Sequence, residues 1–249
     1  MNRDLRIGEY AWQVRSYECG ADGLMTMPSL CNYLQEAASL HAERLGFSKS
    51  DFLRGGHDVT WVLTRLMVRL ERLPKWAETV TVRTWPRTMR RIVAYRDFEL
   101  YDADGVRIGA ATSEWMLIDM TTRKLVPLPA ELEHDGGDIP PALGEDPFGA
   151  RPKFPAAATP DHAEMFTARR CHIDVNRHVN NVHYVTWALE TVPQDERRSC
   201  VGLDITFRAE THAGETVRGE CVRNGDGGYL HRLIAPDGKE HVVMTSTWR

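Results

Sequence analysis

The run Asp174-Val175-Asn176-Arg177-His178-Val179-Asn180-Asn181 sets a carboxylate, an amide and an imidazole at alternate positions. In an extended segment alternate side chains project to one side, so the three could face one substrate. A predicted helix starts at about Asn181 and is stopped by Pro193. The first N–H groups of a helix lack partners within it and can receive a developing oxyanion. Carbonyl hydrolysis by water needs such a combination of acid–base groups and donors. The same residues also suit a plainer role: Asp174 and Asn176 can close an Asx turn, and Asn180 or Asn181 can cap the helix.

Other reactive side chains are weaker candidates. Cys171 is the one tempting thiol near this run, and cysteine is expected to pack as a small buried hydrophobe. His183 falls on the second helix as a surface or packed histidine. His41 and His57 lack the spacing of metal ligands, and no metal or cofactor is expected.

The elements that must position the run come in two sets. Leu30, Leu34, Ala37, Ala38, His41, Ala42 and Leu45 recur at three- and four-residue steps, predicting a buried helix that starts near Pro28 and ends at Gly46. Alternating or β-branched strands follow, such as Thr79 to Trp85, with a hairpin turn at Asp104-Gly105. The second half repeats this order. Tyr33 to Ala37 lies over Trp187 to Thr191 at an offset of 154, Glu78-Thr79-Val80 over Glu215-Thr216-Val217 at 137, and Thr112 to Trp115 over Thr245 to Trp248 at 133. Three matches in series indicate a repeated unit. At the first-half positions of Asp174, Asn176 and His178 stand Gly20, Asp22 and Leu24, so the polar set is not needed merely to start the helix, and one active site per chain is expected.

Eight of the thirteen prolines lie between Pro127 and Pro160. Residues 120–163 therefore read as a linker between a repeat over 1–119 and a second over 164–249. One helix and an antiparallel sheet per repeat give an α+β fold in which each sheet curls around its helix, a tandem hot-dog arrangement.

Composition narrows the rest. With 42% hydrophobic and 27% charged residues over 249 positions, the chain has the balance of a folded globular protein. A net charge of -4 gives no reason to expect nucleic acid as a partner. No apolar run is long enough to span a membrane, and the N-terminal residues show no export segment. Five cysteines without C-x-x-C spacing fit a reducing cytoplasm.

Asp174-x-Asn176-x-His178-Val179-Asn180-Asn181-x-x-Tyr184-x-x-Trp187 resembles the signature of plant and bacterial acyl-ACP thioesterases. The resemblance extends to Arg15-Ser16-Tyr17-Glu18, Leu34-Gln35-Glu36, Trp61-Val62-x-Thr64-Arg65, Met89-Arg90-Arg91 and Trp115-Met116. It implies hydrolysis of a fatty acyl-ACP, with acyl carrier protein as partner and catalytic residues at Asp174, Asn176, His178 and Glu210. Where plant members often carry a cysteine after that glutamate, this chain has Thr211, so water is the expected nucleophile, with Glu210 or Asp174 as base. An acyl-CoA thioesterase of the same fold and a non-catalytic acyl-thioester sensor are the alternatives. Chain length, saturation preference and the choice between monomer and homodimer are not readable.

Two further expectations concern the substrate. Met25, Met27, Leu30, Leu34 and Ala38 of the first repeat are expected to bind the acyl chain, with residues 46–62 as a flap. Arg90 and Arg91, with Arg83, Arg87 and Lys75, form one candidate docking patch for an acidic carrier. Arg169, Arg170 and Arg177 form the other.

Overall fold

In a computed structural model, which describes residues 6–132, 137–193, 199–225 and 227–249, the first apolar stripe forms α1, Met27–Arg44. The Thr26 hydroxyl caps it by accepting the Ser29 N–H at 3.3 Å. Pro28 occupies the first turn, where its missing N–H costs nothing. Gly46, at φ 78°, takes the left-handed conformation that ends the helix. Leu30, Leu34, Ala37, Ala38 and His41 are buried along one face, and each fully buried leucine contributes about 1.5–3 kcal/mol.

The chain divides into two units, Met1–Leu66 with Leu70–Pro147 and Met67–Arg69 with Phe148–Arg249. In the first, α1 packs on a sheet of β1 (Gly8–Gln13), β2 (Val59–Leu70), β3 (Thr79–Arg90), β4 (Val93–Tyr101) and β5 (Arg107–Asp119), ordered β1-β3-β4-β5-β2. The β4–β5 hairpin turns at Gly105, φ 77°, where the Asp102 carboxylate accepts the N–H groups of Asp104 and Val106. A two-residue strand β6 (Leu125–Val126) pairs with β5.

The 46–62 segment, expected as a flap, instead carries the short helix α2 (Lys49–Arg54), capped by Ser48. Its Phe52 is buried with Met89, Ala94, Leu117 and Leu128. Burying that ring against three strands of the sheet anchors the segment at Phe52, while residues 53–58 stay exposed.

In the second unit α3 (Asn181–Glu190) packs on β9 (Thr216–Asn224), β10 (Gly228–Ile234) and β11 (Glu240–Trp248). With β7 (His162–Thr167) and β8 (Cys200–Phe207) the strand order is β8-β11-β10-β9-β7. Within the Pro-rich segment, the Ala142 N–H meets the buried Asp97 carboxylate at 3.0 Å and Arg107 donates to the Ala142 carbonyl at 2.7 Å. Further along, Arg232 lies over the Phe154 ring at 4.3 Å. Residues 133–136 of that segment lie outside the described residues.

The repeat is visible bond by bond. Gly20 N–H meets the Leu24 carbonyl as Asp174 N–H meets that of His178, both at 2.9 Å. Met25 N–H donates to Pro74 as Val179 N–H donates to Thr211, and Glu71 N–H donates to Ile108 as Arg208 N–H donates to His241. The two units share a backbone plan and differ in the side chains hung on it.

Candidate active site

The polar run folds as a turn. Ile173 and Val179 form an antiparallel bridge, and the chain reverses between them through Asp174 N–H to the His178 carbonyl and Arg177 N–H to the Asp174 carbonyl. The Asp174 carboxylate accepts the N–H of Asn176 at 2.8 Å and of His178 at 3.4 Å. Of the two geometries the sequence offered, the extended face gives way to the Asx turn. A carboxylate close to free N–H groups captures them, which the alternation rule ignores. Arg177 pays in conformation for the reversal, at φ 68° where the first unit has Gly23 at φ 74°. A left-handed non-glycine residue costs about 1–2 kcal/mol, and such strain collects at functional turns.

The start of α3 follows the plainer of the two readings, a helix cap at Asn180. The Asn180 side chain accepts the Val182 N–H at 3.1 Å, and the His183 N–H goes to the Asn180 carbonyl at 2.9 Å. Two donors expected to face a substrate are thus consumed by the cap. His183 packs its ring against His172 at 4.7 Å. Burial, then the neighbouring His172, lowers its pKa.

Tertiary structure brings Glu210, just beyond β8, to the turn. The Val179 N–H bonds the Thr211 carbonyl at 3.0 Å, and His178 Nε2 then lies 3.4 Å from Glu210 Oε2. The His178 side chain is 18% exposed and that of Glu210 40%, so the pair opens to solvent. Asn176 is half-buried in the same turn. The arrangement can hold a water beside a carboxylate and an imidazole, with an amide close by in sequence. One neighbour escaped the sequence reading: the His212 ring lies 4.9 Å from that of His178. Its position two residues after Glu210 was the available signal.

Cys171, expected to be packed, is exposed on a short 3-10 turn, Arg170–His172. The inward position of that turn is taken by His172, whose ring packs against His183 and Trp187.

The basic residues of the first unit do not form one patch. Lys75 precedes β3 and Arg91 follows it, and a strand of that length spans about 36 Å. Arg83 is paired with Glu9 at 2.7 Å. The Arg87 side chain is largely buried, donating to the Glu145 carbonyl at 3.0 Å and lying over Tyr95. Arg90 and Arg91 are exposed at the β3–β4 turn. In the second unit Arg169, Arg170 and Arg177 are exposed beside the turn, together with Val175 at 97% exposure.

Among the first-unit residues expected to bind the chain, Met25, Met27, Leu30, Leu34 and Ala38 are all buried. Leu34 lines a small apolar cavity with Leu63, Leu66, Phe98 and Trp115.

Two sheets, each curled around one helix, with the polar set carried by one of them, define a double hot-dog protein. Residues 8–135 match the N-terminal domain model of acyl-ACP thioesterases and 156–249 match the C-terminal one. The chain belongs to the acyl-ACP thioesterase family. It is 30% identical over 254 residues to a chloroplastic palmitoyl-acyl carrier protein thioesterase of Cuphea hookeriana. That match covers 96% of this chain and 61% of the relative's length. An acyl-ACP thioesterase crystal structure from Bacteroides thetaiotaomicron superposes with a TM-score of 0.88 at 26% identity, covering 100% of both chains. The 12:0-ACP thioesterase of Umbellularia californica gives 0.86 at 28%, covering 98% of this chain and 97% of that one.

Proposed function

We propose that the chain hydrolyses fatty acyl-ACP to a free fatty acid and the carrier thiol. The observation that carries this reading is the His178–Glu210 pair, 3.4 Å apart and open to solvent, in a chain of this family. Glu210 takes a proton from water, the resulting hydroxide attacks the thioester carbonyl carbon, and the tetrahedral intermediate expels the thiolate, which takes that proton. His178 orients the carboxylate and the water. The Asn176 amide donates to the carbonyl oxygen, a role left to it because the cap occupies two helix N–H groups. Asp174 shapes the turn, its Oδ1 being engaged by two backbone N–H groups. The first unit takes the acyl chain beneath α1. A reducing compartment such as the cytoplasm suits Cys19, Cys31, Cys171, Cys200 and Cys221, which form no disulfide.

Purified protein should hydrolyse acyl-ACP with a higher kcat/KM than the matched acyl-CoA; a preference for CoA would favour the rival reading. Arg169, Arg170 and Arg177, with Val175 among them, suit an acidic carrier bearing a phosphopantetheine arm. Reversing Arg169 and Arg170 to Glu should raise KM for acyl-ACP, leave a neutral short thioester nearly unaffected, and lose its effect at high salt. An equal effect on both substrates would point to damaged chemistry. The same reversal at Arg90 and Arg91 tests the other patch.

A second measurement tests the thiol. Cys171→Ala should keep kcat within about twofold, because it removes none of the roughly hundredfold or larger contribution of an acid–base group. A folded Cys171→Ala variant as impaired as one lacking His178 would overturn attack by water.

A further inference from the structure

Three side chains behind the reactive pair are polar where the repeated plan needs none. Thr211 is fully buried and its Oγ1 lies 2.7 Å from Nδ1 of His241, itself 6% exposed at the start of β11. Tyr184 of α3 is buried with no hydrogen-bond partner for its hydroxyl, and burial pushes its pKa up to about 12. The corresponding residues of the first unit, at the three repeat offsets, are Pro74, Ile108 and Leu30. They make the same backbone bonds, Met25 N–H to Pro74 and Glu71 N–H to Ile108. The fold is therefore built equally well with apolar side chains there. A buried hydroxyl, imidazole and phenol carry a desolvation cost that the first unit avoids, and they occur in the unit that holds Glu210 and His178.

Their connections show what they do. The His241 carbonyl accepts the Arg208 and Ala209 N–H groups, its ring binds the Thr211 hydroxyl, and the Thr211 carbonyl accepts from Val179. Glu210 is thus pinned on both sides, and the last bond joins the neighbour of Glu210 to the neighbour of His178. Burial, then the charge of Lys239, lowers the pKa of His241, which favours the uncharged ring beside the threonine hydroxyl.

We infer that Thr211 and His241 are positioning residues that fix the Glu210 carboxylate against His178. The inference rests on the functional reading given above and adds residues that touch neither substrate nor water. Where a plant relative's thiol would stand, the Thr211 hydroxyl serves as an anchor.

The test compares Thr211→Val, Thr211→Ser and His241→Ile with the unaltered full chain, using acyl-ACP. Thr211→Val keeps the shape and removes the hydroxyl, while isoleucine is the residue the first unit already accommodates. Both should lower kcat by about tenfold to a hundredfold, the scale of a misplaced reacting group, with KM nearly unchanged. Thr211→Ser should retain near-normal kcat. Should His241→Ile fail to fold, His241→Asn keeps an acceptor near the Nδ1 position and should preserve activity. Crystal structures of the Val and Ile variants should show the Glu210 carboxylate displaced from His178. Unchanged kcat in Thr211→Val, or serine as impaired as valine, overturns the inference. If the unaltered protein cleaves no acyl thioester, the functional reading fails, and the positional claim is still decided by the crystal structures: Glu210 remaining at its original distance from His178 in the variants would refute it.

Discussion

His178→Ala is expected to lower kcat for acyl-ACP at least about a hundredfold while leaving the fold intact, since a positioned acid–base group contributes on that scale. His178 is half-buried at a surface turn and its N–H bond to Asp174 is made by the backbone, so truncation leaves the turn in place. Asn176→Ala and Glu210→Gln should show losses of similar size, the first by removing the carbonyl donor and the second by removing the base. Asp174→Asn discriminates between the two carboxylates. Asparagine Oδ1 can accept the same two N–H groups, so this variant should lose less than about tenfold if the carboxylate only shapes the turn. Steady-state kinetics on the four variants, with circular dichroism to confirm folding, settles the assignment. A ranking in which Asp174→Asn is far worse than Glu210→Gln would make Asp174 the base.

Enlarging side chains in the first unit's interior is expected to shift the chain-length profile by a comparable factor. Leu34 faces the small cavity with Leu63, Leu66, Phe98 and Trp115, and Ala38 is buried one turn further along α1. Each buried methylene is worth about 0.8 kcal/mol. A ring that excludes four methylenes removes about 3 kcal/mol, roughly a 200-fold change in preference between a long and a short chain. Ala38→Phe and Leu34→Trp should therefore turn over short acyl-ACP near the normal rate and discriminate against long ones. The readout is kcat/KM across a series of saturated chain lengths. Uniform loss at every length would indicate a damaged core, and an unchanged profile would place the tail elsewhere.

Periodicity and repetition were enough to predict both helices, because an apolar stripe has one way to be buried. Pro28 and Gly46 marked the ends of α1 through restrictions that belong to those residues alone. The three repeat offsets reappear as matched backbone hydrogen bonds such as Met25 to Pro74 and Val179 to Thr211. The signature around Asp174 was legible because Asn176 and His178 had no counterparts in the first half.

The sequence left two geometries open for that signature, an extended face or an Asx turn followed by a helix cap. Alternation predicts one face only if the backbone is extended, and whether it is extended depended on where the Asp174 carboxylate found donors. It found them two and four residues ahead. Asn180 likewise spent helix donors as the cap the sequence had offered as one of two readings, and only the folded side chain decided between them. Composition could not tell that Lys75 and Arg91 lie at opposite ends of β3, or that Arg87 turns inward onto Tyr95. The sequence by itself determined the two helix-wrapping repeats and named the residues able to do chemistry. Only the tertiary structure decided which carboxylate faces the imidazole. Glu210 is 32 residues beyond His178, and the two meet because the Val179–Thr211 bond joins their neighbours across the fold, a pairing that no local rule along the chain contains.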